Sequence, residues 1–365
     1  MVWVLLLGFL MCICRCGGEG QVGSRCEDRY PVTKPLLSVV FTTQGGTFGD
    51  LSLQHPARRA TYRLVRQLWW LGECARRYNL SMEVVILDWP VEVENSLRQN
   101  ILAAMKAEKL SFPTSLMQLR ILEGPRELLS RVKPDLPVLE YMGKNIAARR
   151  SFGHLILLGG TDSLPHESIF RYLASERMDI NLRQASCYGS SRQMTGEDIP
   201  DSVETFDDYV AWRDSIQWDA THPHLPYIKH TGPPLEHPDQ IFRLPGFLWF
   251  AAGDFTLCTR KAIHTITGYV EESFRAHVDT YFLRKAVGCG VPIWVLHPSM
   301  ANFHQNHDRG IQIISEHPIS RPEVSSCADD RNENWGAPDM RMEEYLFSRG
   351  DSKWFTEDCI PTPSS

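Results

Sequence analysis

Basic charge is scarce in this chain. Its 365 residues carry 38 Lys and Arg against 44 Asp and Glu, a net charge of -6. That excludes a general nucleic-acid binder, which needs a basic face. The pairs Arg58-Arg59, Arg76-Arg77 and Arg149-Arg150 are short and suit solvated helix faces. No apolar run reaches the roughly 20 residues that a spanning helix needs; the opening run, MVWVLLLGFLMCIC, stops at Arg15. Beyond that run there is no Cys-x-x-Cys, which excludes a thiolate zinc site of the usual spacing. The absence of H-E-x-x-H and of G-x-S-x-G speaks against a metal-dependent or serine hydrolase, even with His297, His304 and His307 close together. No internal repeat is present.

What remains is a globular composition, 43% hydrophobic and 22% charged, long enough for one large or two ordinary domains. Residues 1–24 read as a signal peptide or a short signal-anchor. The apolar stretch has the length of a signal h-region, and the small residues Gly17, Gly18 and Gly20 follow it. Any membrane anchoring would then act through residues 2–14 alone. The rest of the chain is expected in the secretory lumen (Golgi or endoplasmic reticulum) or outside the cell. There the cysteines beyond the leader, Cys26, Cys74, Cys187, Cys258, Cys289, Cys327 and Cys359, can pair in part, with one left over. Asn79-Leu80-Ser81 is a lone N-glycosylation sequon between a helix and a strand.

From residue 36 the chain alternates. Leu36 to Thr43 is an apolar, β-branched strand. Pro56 to Tyr78 is an amphipathic helix with Leu64, Leu68, Leu71 and Ala75 on one face. Met82 to Leu87 is a second strand, 91–109 a second helix, and Leu116 to Leu122 a third strand. Such alternation predicts a parallel sheet covered on both faces, with right-handed crossovers. The loop Gln44 to Asp50 is rich in glycine but lacks G-x-G-x-x-G spacing, so it is a weak dinucleotide signal. Residues 189–245 form a polar, Pro- and His-rich insert with Trp212 and Trp218, which are candidates for stacking on a sugar face or for burial. Strand-like residues return at Phe247 to Thr259. Helices follow at Arg260 to Ile266 and Val278 to Val287, then a strand at Val291 to Leu296. Residues 311–365 read as a surface-wrapping tail, pinned by Cys327 or Cys359.

The chain is organised around Lys144 to Pro165, KNIAARRSFGHLILLGGTDSLP. A short basic helix leads into a buried strand that ends on Gly159-Gly160-Thr161-Asp162. A carboxylate just past a buried strand, on a glycine loop, stands where open α/β sheets bind ligands; equally, Asp162 can cap a helix that starts near Pro165. Asp88 closes the second strand in the same way, or caps the turn at Trp89-Pro90. Asp279 heads a helix, where a carboxylate is either a cap or a base. His304 and His307 follow a strand, as ligands or as ordinary histidines.

The order of these features resembles the GT-A glycosyltransferases, family-two-like, over roughly residues 36–308. The resemblance implies an α/β fold with a Rossmann-like, mostly parallel sheet. Residues 36–165 would be the nucleotide-sugar half, and 166–310 the acceptor and catalytic half. It implies that Thr42, Thr43 and Asp88 line the nucleotide pocket, that Asn145 precedes the acidic strand, and that Gly253 and Asp254 face acceptor and donor sugar. Gly160-Thr161-Asp162 matches the Asp-x-Asp motif, with Asp162 a ligand of Mn²⁺ or Mg²⁺ and His304 or His307 a late ligand. Asp279 would be the catalytic base, with His277 its rival or a residue that orients the loop. Lys144, Arg149 and Arg150 would add positive charge near the diphosphate.

One departure stands out: Gly160 occupies the position of the motif's first Asp. The implied activity is metal-assisted transfer of a sugar from a nucleotide-diphospho-sugar to a glycan or glycoprotein acceptor, with inversion. The alternative is a catalytically inactive relative that binds sugar or nucleotide.

Overall fold

The computed structural model describes residues 35–43, 60–89, 97–110, 116–125, 127–128, 140–175, 184–190, 192–194, 199–200, 202–216, 242–243, 254–271, 278–296, 300–305, 327, 332–348 and 353–359. The leader, the glycine loop after Thr43, most of the 189–245 insert, Gly253, His277, His297 and His307 lie outside them.

The first half alternates as its pattern predicts. Strand β1 (Leu37–Thr43) is followed by helix α1 (Ala60–Arg77), β2 (Met82–Asp88), α2 (Leu97–Ala107), β3 (Met117–Glu123), α3 (Glu140–Arg149) and β4 (Leu155–Gly159). These strands are apolar throughout because both of their faces are covered. Val39, Phe41, Val84 and Ile86 pack under α1 and α2, while Val40, Val85 and Leu87 pack under α3 on the other face. Alternate residues thus serve opposite layers, as the two-residue period of a strand requires.

Next come β5 (Ser163–Pro165), α4 (Glu167–Leu173), β6 (Cys187–Gly189), β7 (Arg192–Met194), α5 (Phe206–Ser215), β8 (Phe242–Arg243), β9 (Phe255–Thr259), α6 (Arg260–Ile266), α7 (Val278–Gly288), β10 (Ile293–Val295), β11 (Asn302–His304), β12 (Met342–Ser348) and β13 (Lys353–Cys359). Helix α6 starts where the sequence places it, because the Thr259 hydroxyl accepts from the Ala262 N–H and caps it.

Among the described residues the main sheet has ten strands in the order β13-β12-β3-β2-β1-β4-β9-β6-β10-β8. Strands β1, β2, β3, β4, β6, β10 and β13 run one way; β8, β9 and β12 run the other. This is the expected α/β architecture, a large and mostly parallel sheet between helical layers. A second sheet, β5-β11-β7, is small. The strand order reverses beside β1: the chain moves outward through β2 and β3, then returns to place β4 on the other side of β1. Ligands of open α/β sheets sit at the carboxyl ends of the strands at such a switch point.

The C-terminal region differs from the expected surface-wrapping tail. Strands β12 and β13 extend the main sheet, with β12 antiparallel to β3. The physical reason is a buried charge cluster. Arg120 on β3 bonds Glu83 of β2 at 2.8 Å and Glu344 of β12 at 2.5 Å, so Glu344 can enter the interior already paired. Among the described residues two disulfides are formed, Cys187–Cys258 across β6 and β9 and Cys289–Cys327, and Cys74 is a buried free thiol. The disulfides suit an oxidising compartment, lumenal or extracellular. Among the described residues no helix is long and apolar enough to cross a membrane.

Candidate active site

The loop after β4 is held from three directions. From α1, the Gln67 amide donates to the Gly160 and Ser163 carbonyls at 2.8 and 2.5 Å, and the Trp70 indole N–H donates to the Pro165 carbonyl at 2.8 Å. Just after β11, the Gln305 N–H donates to the Asp162 carbonyl at 2.9 Å. From the start of β9, the Asp254 carbonyl accepts from the Gly160 N–H at 3.2 Å. A glycine loop is pliable in isolation; here it is a fixed platform.

Strand β11 pairs antiparallel with β5, with His304 opposite Ser163. That register carries the His304 imidazole to Asp162, Nε2 to Oδ2 3.1 Å, with the two side chains 7% and 18% exposed. The pairing places one imidazole nitrogen and one carboxylate together at the carboxyl end of β4, next to the switch point. Both were candidate ligands from sequence.

Asp254 joins the same locus. One carboxylate oxygen, Oδ2, accepts from the Ser163 hydroxyl and the Asn302 amide, each at 3.2 Å, and Arg192 Nε lies 3.4 Å from it. The other oxygen, Oδ1, is buried without a hydrogen-bond partner, as are Gln67 Oε1, Asn302 Oδ1, Gln305 Nε2 and Arg192 Nη2. Buried polar atoms are nearly always paired with protein or ordered solvent, so unmet ones gathered around one loop mark a place for a polar ligand. Gln67, Arg192, Asn302 and Gln305 were not singled out from sequence. Gln67 carried a signal: it lies at helical spacing between Leu64 and Leu71 on the apolar stripe of α1, where a polar side chain is out of place.

The nucleotide-side candidates gather at the neighbouring strand ends. Thr42 and Thr43 are buried at the end of β1, with Thr43 in register with Asp88 of β2. The Thr42 hydroxyl donates to the Leu87 carbonyl at 3.3 Å. Asp88 is fully buried, and its Oδ2 accepts from the Leu97 N–H, at the first residue of α2, at 3.3 Å. Asn145 faces elsewhere: its amide donates to the Tyr269 carbonyl and to Glu271, at 2.8 and 2.9 Å, and its oxygen accepts from the Tyr269 N–H at 2.7 Å.

The basic residues of that helix are engaged as well. Arg149 donates to the Trp335 carbonyl, Arg150 donates to the carbonyls of Gly336, Ala337 and Met340, and Lys144 pairs with Glu140 at 2.6 Å. Arg149 and Arg150 therefore anchor the 332–340 segment. Trp212 packs against Tyr209 at the edge of the core, with ring centroids 5.7 Å apart.

Asp279 is half-buried in the first turn of α7. Its charge is felt by the ring hydroxyls around it. Burial pushes Tyr141 well up, and Glu140, Asp279 and Asp254 add to that push. Tyr269 is raised in the same way, by burial first and then by Asp279, Glu140 and Asp254. The two aspartates thus act on a common pair of tyrosines, on the side of the sheet that carries α3, α6 and α7.

No protein-family model matches the chain, and no curated protein matches it. Solved glycosyltransferase structures do resemble it in fold. The structure of S. aureus TarS 1-349 in complex with UDP-GlcNAc is 13% identical, over 78% of this chain and 61% of that one, with a TM-score of 0.42. The structure of GalNAc-T7 with UDP, GalNAc and Mn²⁺ is 13% identical, over 80% of this chain and 47% of that one, with a TM-score of 0.41. The chain spans less than two thirds of the length of either. A likeness of this degree assigns no role to any residue.

Proposed function

We propose that the chain is a lumenal or secreted glycosyltransferase that moves a sugar from a nucleoside-diphosphate donor to a hydroxyl of a glycan or glycoprotein. The observation that carries this reading is the Asp162–His304 pair, built at the carboxyl end of β4 beside the switch point. A carboxylate oxygen with an imidazole nitrogen is a donor set for Mn²⁺ or Mg²⁺. Such ions are commonly held by one or two protein groups, with substrate phosphates and water completing the shell. Among the described residues no group of three or more His, Cys, Asp or Glu is placed to hold a metal, so among them this pair alone supplies the donor set. When bound, the ion supplies positive charge to the departing diphosphate.

The protein groups divide the remaining work. Thr42, Thr43 and Asp88, at the ends of β1 and β2, lie where the nucleotide would enter. Asp254 borders the transferred sugar. Asp279 is the base: it takes the proton of the acceptor hydroxyl as that oxygen bonds the anomeric carbon, while the bond from that carbon to the diphosphate oxygen breaks on the opposite face, with inversion. His277, His307 and Gly253 keep their proposed parts as second base, late ligand and sugar contact. The 36–165 half serves the donor and the 166–310 half the acceptor.

The first experiment is calorimetric titration of the chain with UDP and GDP, with and without Mn²⁺, beside Asp162→Asn. Metal-dependent binding that is lost in the variant supports the donor site. Binding with no transfer to any acceptor would support the alternative of an inactive relative. No nucleotide binding at all would end the transferase reading.

A further inference from the structure

The turn from α1 to β2 carries the chain's lone N-glycosylation sequon, Asn79-Leu80-Ser81. The fold presents its residues differently. Leu80 is 2% exposed and anchors the turn in the core, while Asn79 is exposed and Ser81 half-buried. Helix α1 ends here: the Leu80 N–H donates to the Ala75 carbonyl at 2.9 Å, and the Asn79 N–H to the Arg76 carbonyl at 3.5 Å. Asn79 is left-handed, φ 51°, the conformation that closes such a helix end and that Asn adopts more readily than most residues. The Ser81 carbonyl accepts from the N–H groups of Leu36 and Leu37, at 3.0 and 3.3 Å, so the turn lies at the amino edge of β1 and β2. Arg76 and Arg77, just before it, are exposed as well.

We infer that Asn79 carries an N-linked glycan, at the edge of the sheet opposite the candidate active site. The inference rests on the lumenal or extracellular placement proposed above and not on the transferase reading. Two features of the fold carry it beyond the triplet itself. First, the acceptor amide belongs to the exposed residue of a turn preceded by exposed arginines, so a hydrated oligosaccharide displaces no packed side chain there. Second, β2 runs seven residues from Met82 to Asp88, which puts about 20 Å between this turn and the strand ends where Thr43 and Asp88 stand. A glycan at 79 leaves those ends uncovered. In the modification an oligosaccharide leaves a lipid-linked diphosphate. Its anomeric carbon bonds the Asn79 side-chain nitrogen, the bond from that carbon to the diphosphate oxygen breaks, and the nitrogen gives up one proton. Asn79 also serves the helix end, a place that glycine fills equally well, and this allows the two uses to be separated.

The test is expression of the full chain in eukaryotic cells, followed by a peptide N-glycosidase, which releases an N-glycan and leaves aspartate in place of the modified asparagine. Electrophoretic mobility and the mass of the peptide that holds residue 79 are read before and after treatment. Wild type is set beside Asn79→Gly, which keeps the left-handed helix end, and Ser81→Ala, which keeps Asn79 but breaks the triplet. The expected result is a mobility shift and conversion at residue 79 in wild type, and neither in the variants. A shift that persists in Asn79→Gly overturns the assignment. If a variant does not fold, the wild-type peptide decides: conversion supports the inference, and unmodified asparagine overturns it. Protease protection of microsomes reports entry into the lumen separately. A protected or secreted wild-type chain with unmodified Asn79 overturns the inference and leaves the compartment standing. A chain that is open to protease and unmodified overturns both.

Discussion

The Arg120 guanidinium donates to the Glu344 carboxylate at 2.5 Å, joining residues 224 apart in sequence at a point where the two side chains are 1% and 3% exposed. The same guanidinium bonds Glu83 and the Arg150 carbonyl, and Glu83 in turn accepts from the Ser38 hydroxyl and the backbone N–H groups of Phe152 and Gly153. One cation thus compensates two buried anions and ties β12 to the centre of the sheet. Arg120→Ala would take the guanidinium away from both buried carboxylates. The expected cost is about 3–5 kcal/mol, read as a lower urea midpoint. Arg120→Met with Glu83→Gln and Glu344→Gln should recover part of it, because no unpaired charge is left buried.

That relationship also shows how far the sequence could be read. Strands β1, β2 and β4 announce themselves, because each is buried on both faces and needs no partner to explain its composition. Strand β12, MEEYLFS, does not: Glu343 and Glu344 look like solvent residues until Arg120 is brought beside one of them. The site divides in the same way. Asp162 and His304 stand out by residue type and position, but their union depends on the three-residue strands β5 and β11 finding one register across the fold. Asp254 was named in the sequence only through the resemblance; its bonds to Ser163 and Asn302 were not visible there, since each spans many residues.

Acid should destabilise the protein through His166. This imidazole caps α4, with Nδ1 accepting from the Ser168 N–H at 3.0 Å. Burial pushes its pKa down to about 4, against the opposing pull of Glu167. Between about pH 6.5 and pH 4 the unfolded chain therefore binds more protons at this residue than the folded one. Stability is full above that window and falls as pH drops through it, by at most about 3 kcal/mol. Protonated Nδ1 can no longer accept, so the cap is lost together with the neutral state. Asn is also a good cap and does not titrate. His166→Asn should leave stability near wild type at pH 7.5 and flatten its decline toward pH 4.5, measured by urea unfolding at both pH values. His264, also pushed down to about 4 by burial and then by Arg260 and Arg149, keeps a residual slope in that variant.

Asn145 offers a direct separation of scaffold from contact. Both ends of its side chain are bonded to the Tyr269–Glu271 segment, and a Cβ at Gly268 would fall 2.4 Å from its oxygen. The backbone at Gly268 is left-handed, φ 68°, which glycine adopts without strain. Asn145→Ala should cost about 2 kcal/mol or more, since buried partners are left unmet, and Gly268→Ala should also destabilise. If the side chain serves only this brace, nucleotide affinity measured well below the melting temperature will match wild type. A tenfold loss of UDP binding in a folded Asn145→Ala protein would instead show a contact with the donor.

Asp279 is the sharpest test of chemistry against binding. It stands at the head of α7, on the side of the sheet where Tyr141 and Tyr269 register its charge together with that of Asp254. Asp279→Asn keeps the shape of the side chain but removes the base. If the acceptor proton goes to this carboxylate, turnover should fall by about 10²–10⁴-fold, while UDP affinity and the urea midpoint stay near wild type. Asp162→Asn should give the opposite split, with donor binding lost before chemistry can begin. A folded Asp279→Asn enzyme that turned over normally would move the base elsewhere, with His277, two residues earlier, as the next group to replace. Loss of stability in place of turnover would identify Asp279 as a first-turn carboxylate that serves the helix dipole, a role worth about 0.3–1 kcal/mol.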